Sequence, residues 1–260
     1  MLSTLKPKIK ALVLDMDGVL WRSSQPVGDL AAIFHRIDEL ELKVICATNN
    51  STSTPEQFAA KLQTMGVTLS PDQILNSAQA AAYYLKKLHP EGGPVFLVGE
   101  IGLQLAMQPH GFWNTDRDVL AVVAGMDRQI TYTKLSIASS LVRSGASFIG
   151  TNDDKTFPTP EGLTLGAGSI LAAIEAASGF APTVIGKPSP YLYQVALERL
   201  GTTAQETLAV GDRLETDILG GQRAGMRTAL VLSGVSTRED LTRWPTPPDL
   251  VAADLTELLG

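Results

Sequence analysis

The sequence has little cysteine, little aromatic character and no long apolar run. Cys46 is the only cysteine among 260 residues, so no intramolecular disulfide can form, and we expect a reducing, cytoplasmic location. It lies in the apolar segment 44–47 without a basic neighbour, which favours a buried structural thiol over a nucleophile. No segment approaches the roughly 20 apolar residues of a membrane-spanning helix, and the apolar run that follows Lys10 is too short for a secretory signal.

Positive charge is also scarce, and several common functional motifs are missing. The formal net charge is −6 and aromatic residues make up 6% of the chain, so we expect neither nucleic acid nor an acidic membrane as a partner. The three histidines, His35, His89 and His110, lack metal-ligand spacing. The patterns H-E-x-x-H, G-x-S-x-G and Walker A do not occur.

The first and last parts of the chain alternate short apolar runs with amphipathic segments. This alternation predicts an α/β fold in which parallel strands are joined by right-handed helical crossovers. The predicted strands cover residues 11–15, 43–47, 207–211 and 227–232, and predicted helices cover 29–41 and the segments that begin at Ser53 and Ser189.

The middle of the chain is too long for one crossover connection. It separates Thr48 from Lys187 by 138 residues and contains its own strand and helix patterns. Glycine- and proline-rich segments at 92–94 and 179–182 resemble domain seams. We therefore predict a core of residues 1–78 and 182–260 with a second α/β domain, residues 79–181, inserted into it.

Four predicted strands are followed directly by polar side chains. Asp15 and Asp17 follow the first strand, Thr48-Asn49-Asn50 follow the second, and Lys187 and Asp212 follow two later ones. The carboxyl ends of parallel strands meet at one sheet edge, which is where such sheets bind ligands. Carboxylates, a hydroxyl and an ammonium at this edge suit a Mg²⁺-dependent phosphoryl-transfer site.

Each of these residues has a candidate role and a simpler alternative. Asp15 could attack phosphorus while Asp17 transfers a proton, although Asp-Met-Asp-Gly could also be a plain turn. Lys187 could hold the phosphate, or it could be an ordinary surface lysine. Thr48, Asn49 and Asn50 could donate to phosphate oxygens, or form a turn before the Ser53 helix cap. Asp217 could support the site, or simply be an acid in a first helical turn.

The order of these motifs resembles that of the haloacid dehalogenase (HAD) superfamily. Asp15-Met-Asp-Gly-Val, Thr48-Asn-Asn, Gly186-Lys-Pro and Gly211-Asp-Arg-Leu-Glu-Thr-Asp are similar to its four motifs. Further segments, including Gly125-Met-Asp-Arg128 and Gly150-Thr-Asn-Asp153, resemble the NagD-type, 4-nitrophenylphosphatase-like branch. The resemblance covers nearly the whole chain.

The resemblance implies a Rossmann-like parallel-sheet core with an inserted α/β cap. It also implies a Mg²⁺-dependent phosphatase of small phosphate esters that forms a covalent aspartyl-phosphate. The residues it assigns are Asp15 as nucleophile and metal ligand, Asp17 as acid/base and metal ligand through its carbonyl, Thr48 and Lys187 as phosphate anchors, Asp212 as metal ligand and Asp217 as the last acid of the fourth motif.

The resemblance also suggests what the middle domain does. Caps in this family recognise the leaving group, so Asp127, Arg128, Thr151 and Asn152 are candidate specificity residues, although cap structure is the simpler explanation for them. Leu165 stands where relatives often carry proline. This difference weakens any inference from the substrates of relatives to the substrate of this chain. Relatives also form dimers through the cap, so a homodimer is open by analogy.

Two other functions use similar residues. A phosphotransferase or phosphomutase would employ the same aspartate nucleophile and pass the phosphoryl group to a second hydroxyl. A phospho-accepting signalling module also combines acids, Thr and Lys around Mg²⁺, but it would need neither Asp17 nor the inserted domain.

Overall fold

The computed structural model describes residues 1–159 and 162–260. The chain divides into two compact units. Unit 1 comprises Met1–Thr48, Pro55–Leu75 and Lys187–Gly260, and unit 2 comprises Asn49–Thr54 and Asn76–Gly186. The predicted domain boundaries keep residues 49–54 with the first part of the chain. Its boundaries at 79 and 181, and the role of this segment as a cap, stay predictions.

The strands of the described chain are numbered in chain order. They are β1 (Ala11–Leu14), β2 (Trp21–Arg22), β3 (Gln25–Pro26), β4 (Lys43–Thr48), β5 (Ile74–Asn76), β6 (Gly93–Val98), β7 (Phe112–Asn114), β8 (Ala121–Ala124), β9 (Ser147–Gly150), β10 (Thr156–Thr159), β11 (Gly162–Leu165), β12 (Thr183–Val184), β13 (Thr207–Gly211), β14 (Arg227–Val231) and β15 (Leu250–Ala252).

The α-helices are numbered in the same way. They are α1 (Leu30–Glu39), α2 (Pro55–Gln63), α3 (Ser77–Leu88), α4 (Ile101–Met107), α5 (Tyr132–Arg143), α6 (Ala167–Ser178), α7 (Tyr191–Leu200), α8 (Leu219–Arg223), α9 (Arg238–Arg243) and α10 (Leu255–Leu259). A π-helical turn, Leu214–Ile218, precedes α8.

The main sheet has six strands in the order β15-β14-β13-β1-β4-β5. The central strand β1 is parallel to both β13 and β4, and β13, β14 and β15 are also parallel to one another. All four residues of β1 are buried, as expected for an apolar run in the middle of a parallel sheet. The predicted α/β fold with a parallel sheet is confirmed.

Helix α1 shows how the sequence pattern produces this packing. Asp29 caps the helix by accepting a hydrogen bond from the backbone N–H of Ala32 at 3.1 Å. Its buried residues recur with helical spacing and join the apolar cluster around the main sheet; they are Leu30, Ile33, Phe34 and Ile37.

Unit 2 has a parallel sheet of its own. Its five strands lie in the order β12-β9-β8-β6-β7, with β6, β8 and β9 in parallel register. Helices α5 and α6 contribute buried residues to the core on this sheet, among them Ala138, Val142 and Ile174. Strands β10 and β11 form a separate antiparallel pair.

None of the helices in residues 1–159 and 162–260 is long and apolar enough to cross a lipid bilayer.

Candidate active site

Asp15 lies directly after β1, at the carboxyl end of the central strand. Its backbone N–H donates to the carbonyl of Val210 on β13 at 2.9 Å, so the parallel ladder fixes its position. Its side chain is 12% exposed. A carboxylate at this point is held by the sheet and still reachable from solvent.

Lys187 provides the positive charge beside Asp15. It is only 3% exposed, and its Nζ donates to Oδ1 of Asp15 and to Oδ1 of Asp217 at 2.7 Å. A third contact reaches the carbonyl of Ala47 at 3.3 Å. A buried ammonium needs partners of this kind, so the surface-lysine alternative is wrong and Lys187 bridges two acids.

Asp212 and Asp217 complete the acidic group. Asp212 follows β13 and accepts a hydrogen bond from the backbone N–H of Val235 at 2.7 Å, while Asp217 lies in the π-helical turn. Carboxylate oxygens of Asp15, Asp212 and Asp217 all lie within 4.8 Å of one another. The sequence analysis gave Asp217 only a supporting place, whereas its carboxylate lies within the cluster itself.

The electrostatics of this cluster follow from burial and like charge. Burial, together with Asp217 and Asp212, raises the pKa of Asp15 well above its usual value, against the opposing effect of Lys187. Burial and the charge of Asp217 raise the pKa of Asp212 to about 6. Burial lowers the pKa of Lys187, but the two acids it contacts outweigh this and hold that pKa above its ordinary value. Lys187 therefore stays charged, while burial and the neighbouring acids oppose ionisation of Asp15 and Asp212.

The donor set and the space around it fit a divalent cation. Three carboxylates supply the hard oxygen ligands that such ions prefer. The backbone also approaches Asp212 closely, because a Cβ at Gly18 or at Gly234 would overlap the Asp212 carboxylate. Gly18 additionally has a φ of +86°, which a side chain would strain. Glycine at both positions keeps room for the carboxylate at the edge of the sheet.

Asp17 has a different environment from the other acids. Its side chain is exposed, and its Oδ1 accepts a hydrogen bond from the indole Nε1 of Trp21 at 2.7 Å. Among the described residues, the acid cluster contains Asp15, Asp212 and Asp217 without the Asp17 carboxylate. The indole of Trp21, rather than the cluster, holds that carboxylate.

The polar residues after β4 divide between the two units. Thr48 ends β4 in unit 1 and is 4% exposed. Asn50 accepts hydrogen bonds through Oδ1 from the backbone N–H and the hydroxyl of Thr52, at 2.9 and 2.7 Å. That is a local turn, so the alternative for Asn50, a turn after the strand, describes its side chain in this structure.

Asn49 is held within unit 2 by several contacts. Its carbonyl accepts from the hydroxyl of Ser77 and from Nδ2 of Asn152, both at 2.6 Å. Its own Nδ2 donates to Asp154 at 3.2 Å. Thr151, which is fully buried, adds a hydroxyl contact to Ser51 at 3.2 Å. Thr151 and Asn152 therefore fix the 49–54 segment.

Asp127 and Arg128 are also engaged in ion pairs of unit 2. Asp127 pairs with Lys134 at 2.6 Å and accepts from the backbone N–H of Gln129. Arg128 donates through Nε and Nη2 to the two oxygens of Glu100, at 2.7 and 2.6 Å. These contacts agree with the simpler explanation for both residues, and their part in specificity stays a prediction.

Sequence reasoning missed the partners that hold the predicted residues. The patterns considered in the sequence give Trp21 and Ser77 no role at the site. A tryptophan four residues after an acid carries no signal by itself, because indole rings are usually core residues. Only the fold shows that these two side chains donate hydrogen bonds to Asp17 and Asn49.

Comparisons with known proteins show the family to which the chain belongs. The haloacid dehalogenase-like hydrolase family matches residues 12–113, and a HAD-hydrolase-like family matches residues 184–258. An acid sugar phosphatase of Staphylococcus aureus is 38% identical over 252 residues, covering 96% of this chain and 97% of the relative.

Solved structures agree as well. NagD from E. coli K-12 is 34% identical with a TM-score of 0.90, covering 96% of this chain and 98% of that one. A double mutant of a thermostable NPPase from Geobacillus stearothermophilus is 37% identical with a TM-score of 0.89, covering 95% and 97%. The chain therefore belongs to the haloacid dehalogenase-like hydrolases, as a phosphatase of their NagD-type branch.

Proposed function

We propose that this phosphatase hydrolyses small-molecule phosphomonoesters with Mg²⁺ through a covalent aspartyl-phosphate. The observation that carries the proposal is the group of three carboxylates within 4.8 Å of one another, with the buried Lys187 ammonium donating to two of them. Such a group combines a nucleophile, cation ligands and a fixed positive charge at one sheet edge.

The first chemical step uses Asp15 and Asp17. A carboxylate oxygen of Asp15 forms a bond to phosphorus while the bond from phosphorus to the leaving oxygen breaks. The Asp17 carboxyl gives its proton to that leaving oxygen, so an alcohol departs and Asp17 is left as a carboxylate. Because Asp17 is exposed and follows Asp15 by two residues in the chain, it can reach a leaving group on the solvent side.

The second step reverses these roles. Water attacks the phosphorus of the aspartyl-phosphate, and Asp17 accepts the proton that the water loses. The bond between phosphorus and the Asp15 oxygen breaks, which releases inorganic phosphate and restores both side chains to their starting forms. No further reactant is required.

The remaining residues bind and orient the phosphoryl group. Lys187 offers a fixed charge for phosphate oxygens, and Thr48 offers a hydroxyl at the end of the neighbouring strand. Asp15 and Asp212, with Asp217 beside them and the Asp17 carbonyl implied by family resemblance, would hold Mg²⁺. When bound, the cation would offset phosphate charge and favour the ionised form of Asp15.

The substrate class is proposed from the relatives. One relative is named an acid sugar phosphatase, and solved relatives are named p-nitrophenyl phosphatases. We propose phosphomonoesters of small metabolites, sugar phosphates among them, with unit 2 acting as the cap that selects the leaving group. A panel of phosphorylated metabolites at fixed Mg²⁺, ranked by kcat/KM, tests this class.

Substitution of the nucleophile tests the mechanism. Asp15→Asn should abolish hydrolysis of 4-nitrophenyl phosphate while the protein remains folded by circular dichroism. In Asp17→Asn, acid quenching during turnover of the same substrate should trap a phosphorylated protein whose label maps to Asp15. Substantial turnover by Asp15→Asn, or a label on another residue, would contradict the proposal.

Removal of the metal tests the cofactor. Treatment of the wild-type protein with EDTA should stop turnover, and added Mg²⁺ should restore it. Full activity in EDTA would exclude the metal assignment. Release of phosphate to water, rather than its transfer to an added alcohol, distinguishes the phosphatase from a phosphotransferase.

A further inference from the structure

Trp21 is an indole whose single polar atom is directed at an exposed carboxylate. Its side chain is completely buried, and Nε1 donates to Oδ1 of Asp17 at 2.7 Å. Trp21 opens the short β2–β3 hairpin. The backbone between the two residues is closed by hydrogen bonds from Gly18 N–H to the Trp21 carbonyl at 2.7 Å and from Trp21 N–H to the Met16 carbonyl at 3.2 Å. The donor and its acceptor therefore belong to one tight, hydrogen-bonded turn.

Lys61 on α2 holds the other side of the indole. Its Nζ lies 3.8 Å from the centroid of the Trp21 ring and donates to the carbonyl of Ser23, in the same hairpin, at 3.2 Å. A cation over an indole face is attracted by the ring electrons. It thereby fixes the ring and strengthens the N–H as a donor. Burial of the ring, the Lys61 contact and the hydrogen bond to Asp17 are separate observations that define one orientation.

We propose that Trp21 is a positioning residue for Asp17, with Lys61 as its support. The inference rests on the proposed function, in which Asp17 protonates the leaving oxygen. Because Nε1–H occupies Oδ1, the other oxygen, Oδ2, carries the proton and delivers it to the leaving group. In the second step Oδ2 accepts the proton from water, while Oδ1 again keeps the indole hydrogen bond.

The geometry explains why an exposed acid needs this support. A solvent-exposed aspartate samples several side-chain rotamers, and proton transfer is efficient only from a position within hydrogen-bond reach of the leaving oxygen. Oδ1 can accept the indole hydrogen bond whether or not Oδ2 carries the proton. Trp21 thus restricts Asp17 without occupying the oxygen that reacts.

The test compares Trp21→Phe with Trp244→Phe. Phenylalanine keeps an aromatic ring in the core but removes the N–H. Trp244 is the matched control, because its Nε1 has no hydrogen-bond partner in the described chain. The readout is kcat/KM for propyl phosphate and for 4-nitrophenyl phosphate, which reports the first chemical step. Propyl phosphate releases an alkoxide that needs a proton, whereas 4-nitrophenyl phosphate releases a phenolate that leaves with little protonation.

We expect Trp21→Phe to lower kcat/KM for propyl phosphate by about tenfold and that for 4-nitrophenyl phosphate by less than about twofold, since a positioned acid contributes about 100-fold or more. Trp244→Phe should leave the ratio of the two values unchanged. Lys61→Met leaves the indole N–H of Trp21 in place but removes the cation over the ring. It should therefore lower kcat/KM for propyl phosphate relative to that for 4-nitrophenyl phosphate, by a smaller factor than Trp21→Phe does. Tm values of all three variants show whether loss of fold contributes.

The outcomes separate this inference from the proposed function. If Asp17→Asn changes the alkyl-to-aryl ratio and Trp21→Phe behaves like Trp244→Phe, the positioning role is wrong while the acid role of Asp17 stands. If Asp17→Asn itself leaves the ratio unchanged, the proposed function fails. An equal loss on both substrates in Trp21→Phe, with a lowered Tm, would assign the indole a structural role only.

Discussion

Asp212 makes the metal-free protein less stable as the pH rises. Its side chain is 2% exposed, and its pKa is raised to about 6 by burial and by the charge of Asp217. In the unfolded chain an aspartate has a pKa of about 3.9. Between these two values the native state binds more protons than the unfolded state. The contribution of this group to stability is therefore fully present below about pH 4 and is lost as the pH rises through about 6.

The size of the effect follows from this difference. Each tenfold change in proton affinity corresponds to about 1.4 kcal/mol, so ionised Asp212 should cost up to about 3 kcal/mol at pH 7.5. Asp212→Asn removes the charge and retains an oxygen that can accept from the Val235 N–H. In EDTA, we expect the variant to be more stable than the wild type by about 2–3 kcal/mol at pH 7.5 and equal to it near pH 4.

Urea unfolding followed by tryptophan fluorescence, at several pH values in EDTA, measures this difference. Asp240→Asn is a control in which the pH dependence should have the opposite sign. Hydrogen bonds from the Thr237 N–H and hydroxyl lower the pKa of Asp240, so this substitution should make the protein less stable than the wild type as the pH rises. With Mg²⁺ the order should reverse for Asp212, since the wild type binds the cation and gains stability from it. A variant that is less stable than the wild type in EDTA at pH 7.5, or a difference that does not change with pH, would refute the reasoning.

Three further predictions concern other groups. Lys187→Met leaves the carboxylates of Asp15 and Asp217 without their cation, so it should abolish turnover and lower the free energy of unfolding by about 3–5 kcal/mol at pH 7.5, measured by urea unfolding; an unchanged free energy of unfolding would contradict this. Asn152→Ala removes a donor to the Asn49 carbonyl and should cost about 1–2 kcal/mol, measured as a lower urea midpoint; an unchanged midpoint would show the contact to be dispensable. Burial raises the pKa of Cys46 to about 12, so a thiol reagent at pH 8 should label it only after unfolding; rapid labelling of the native protein would place this thiol at the surface.

Much of the fold could be predicted from local patterns. The helix predicted over 29–41 corresponds to α1, and the strands predicted at 11–15 and 43–47 correspond to β1 and β4. The parallel sheet follows from apolar runs buried on both faces, such as β1. These features are decided by nearest neighbours along the chain, so a single sequence contains enough information for them.

Contacts between distant residues could not be predicted in the same way. The role of Asn49 and Asn50 as phosphate donors stays a prediction, and no sequence pattern indicated that Ser77 and Asn152 donate to the backbone carbonyl of Asn49. Asp217 looked like an ordinary acid in a helical turn, and only the π-helical turn brings it to Lys187. Pairings of this kind depend on how strands and turns meet, and motif spacing does not contain that geometry.

By itself the sequence determined the class of chemistry: polar residues placed directly after apolar strands must gather at one edge of a parallel sheet. The tertiary structure decided which of these residues form ion pairs and which are held by hydrogen bonds from neighbouring side chains. Lys187 bridges Asp15 and Asp217 because strand ends far apart in the chain converge on it. Asp17 is oriented by Trp21 because a tight turn directs a buried indole N–H toward it. Ion pairs and hydrogen bonds depend on the distance between the groups involved, and the distances between residues remote in sequence are fixed only when the chain folds.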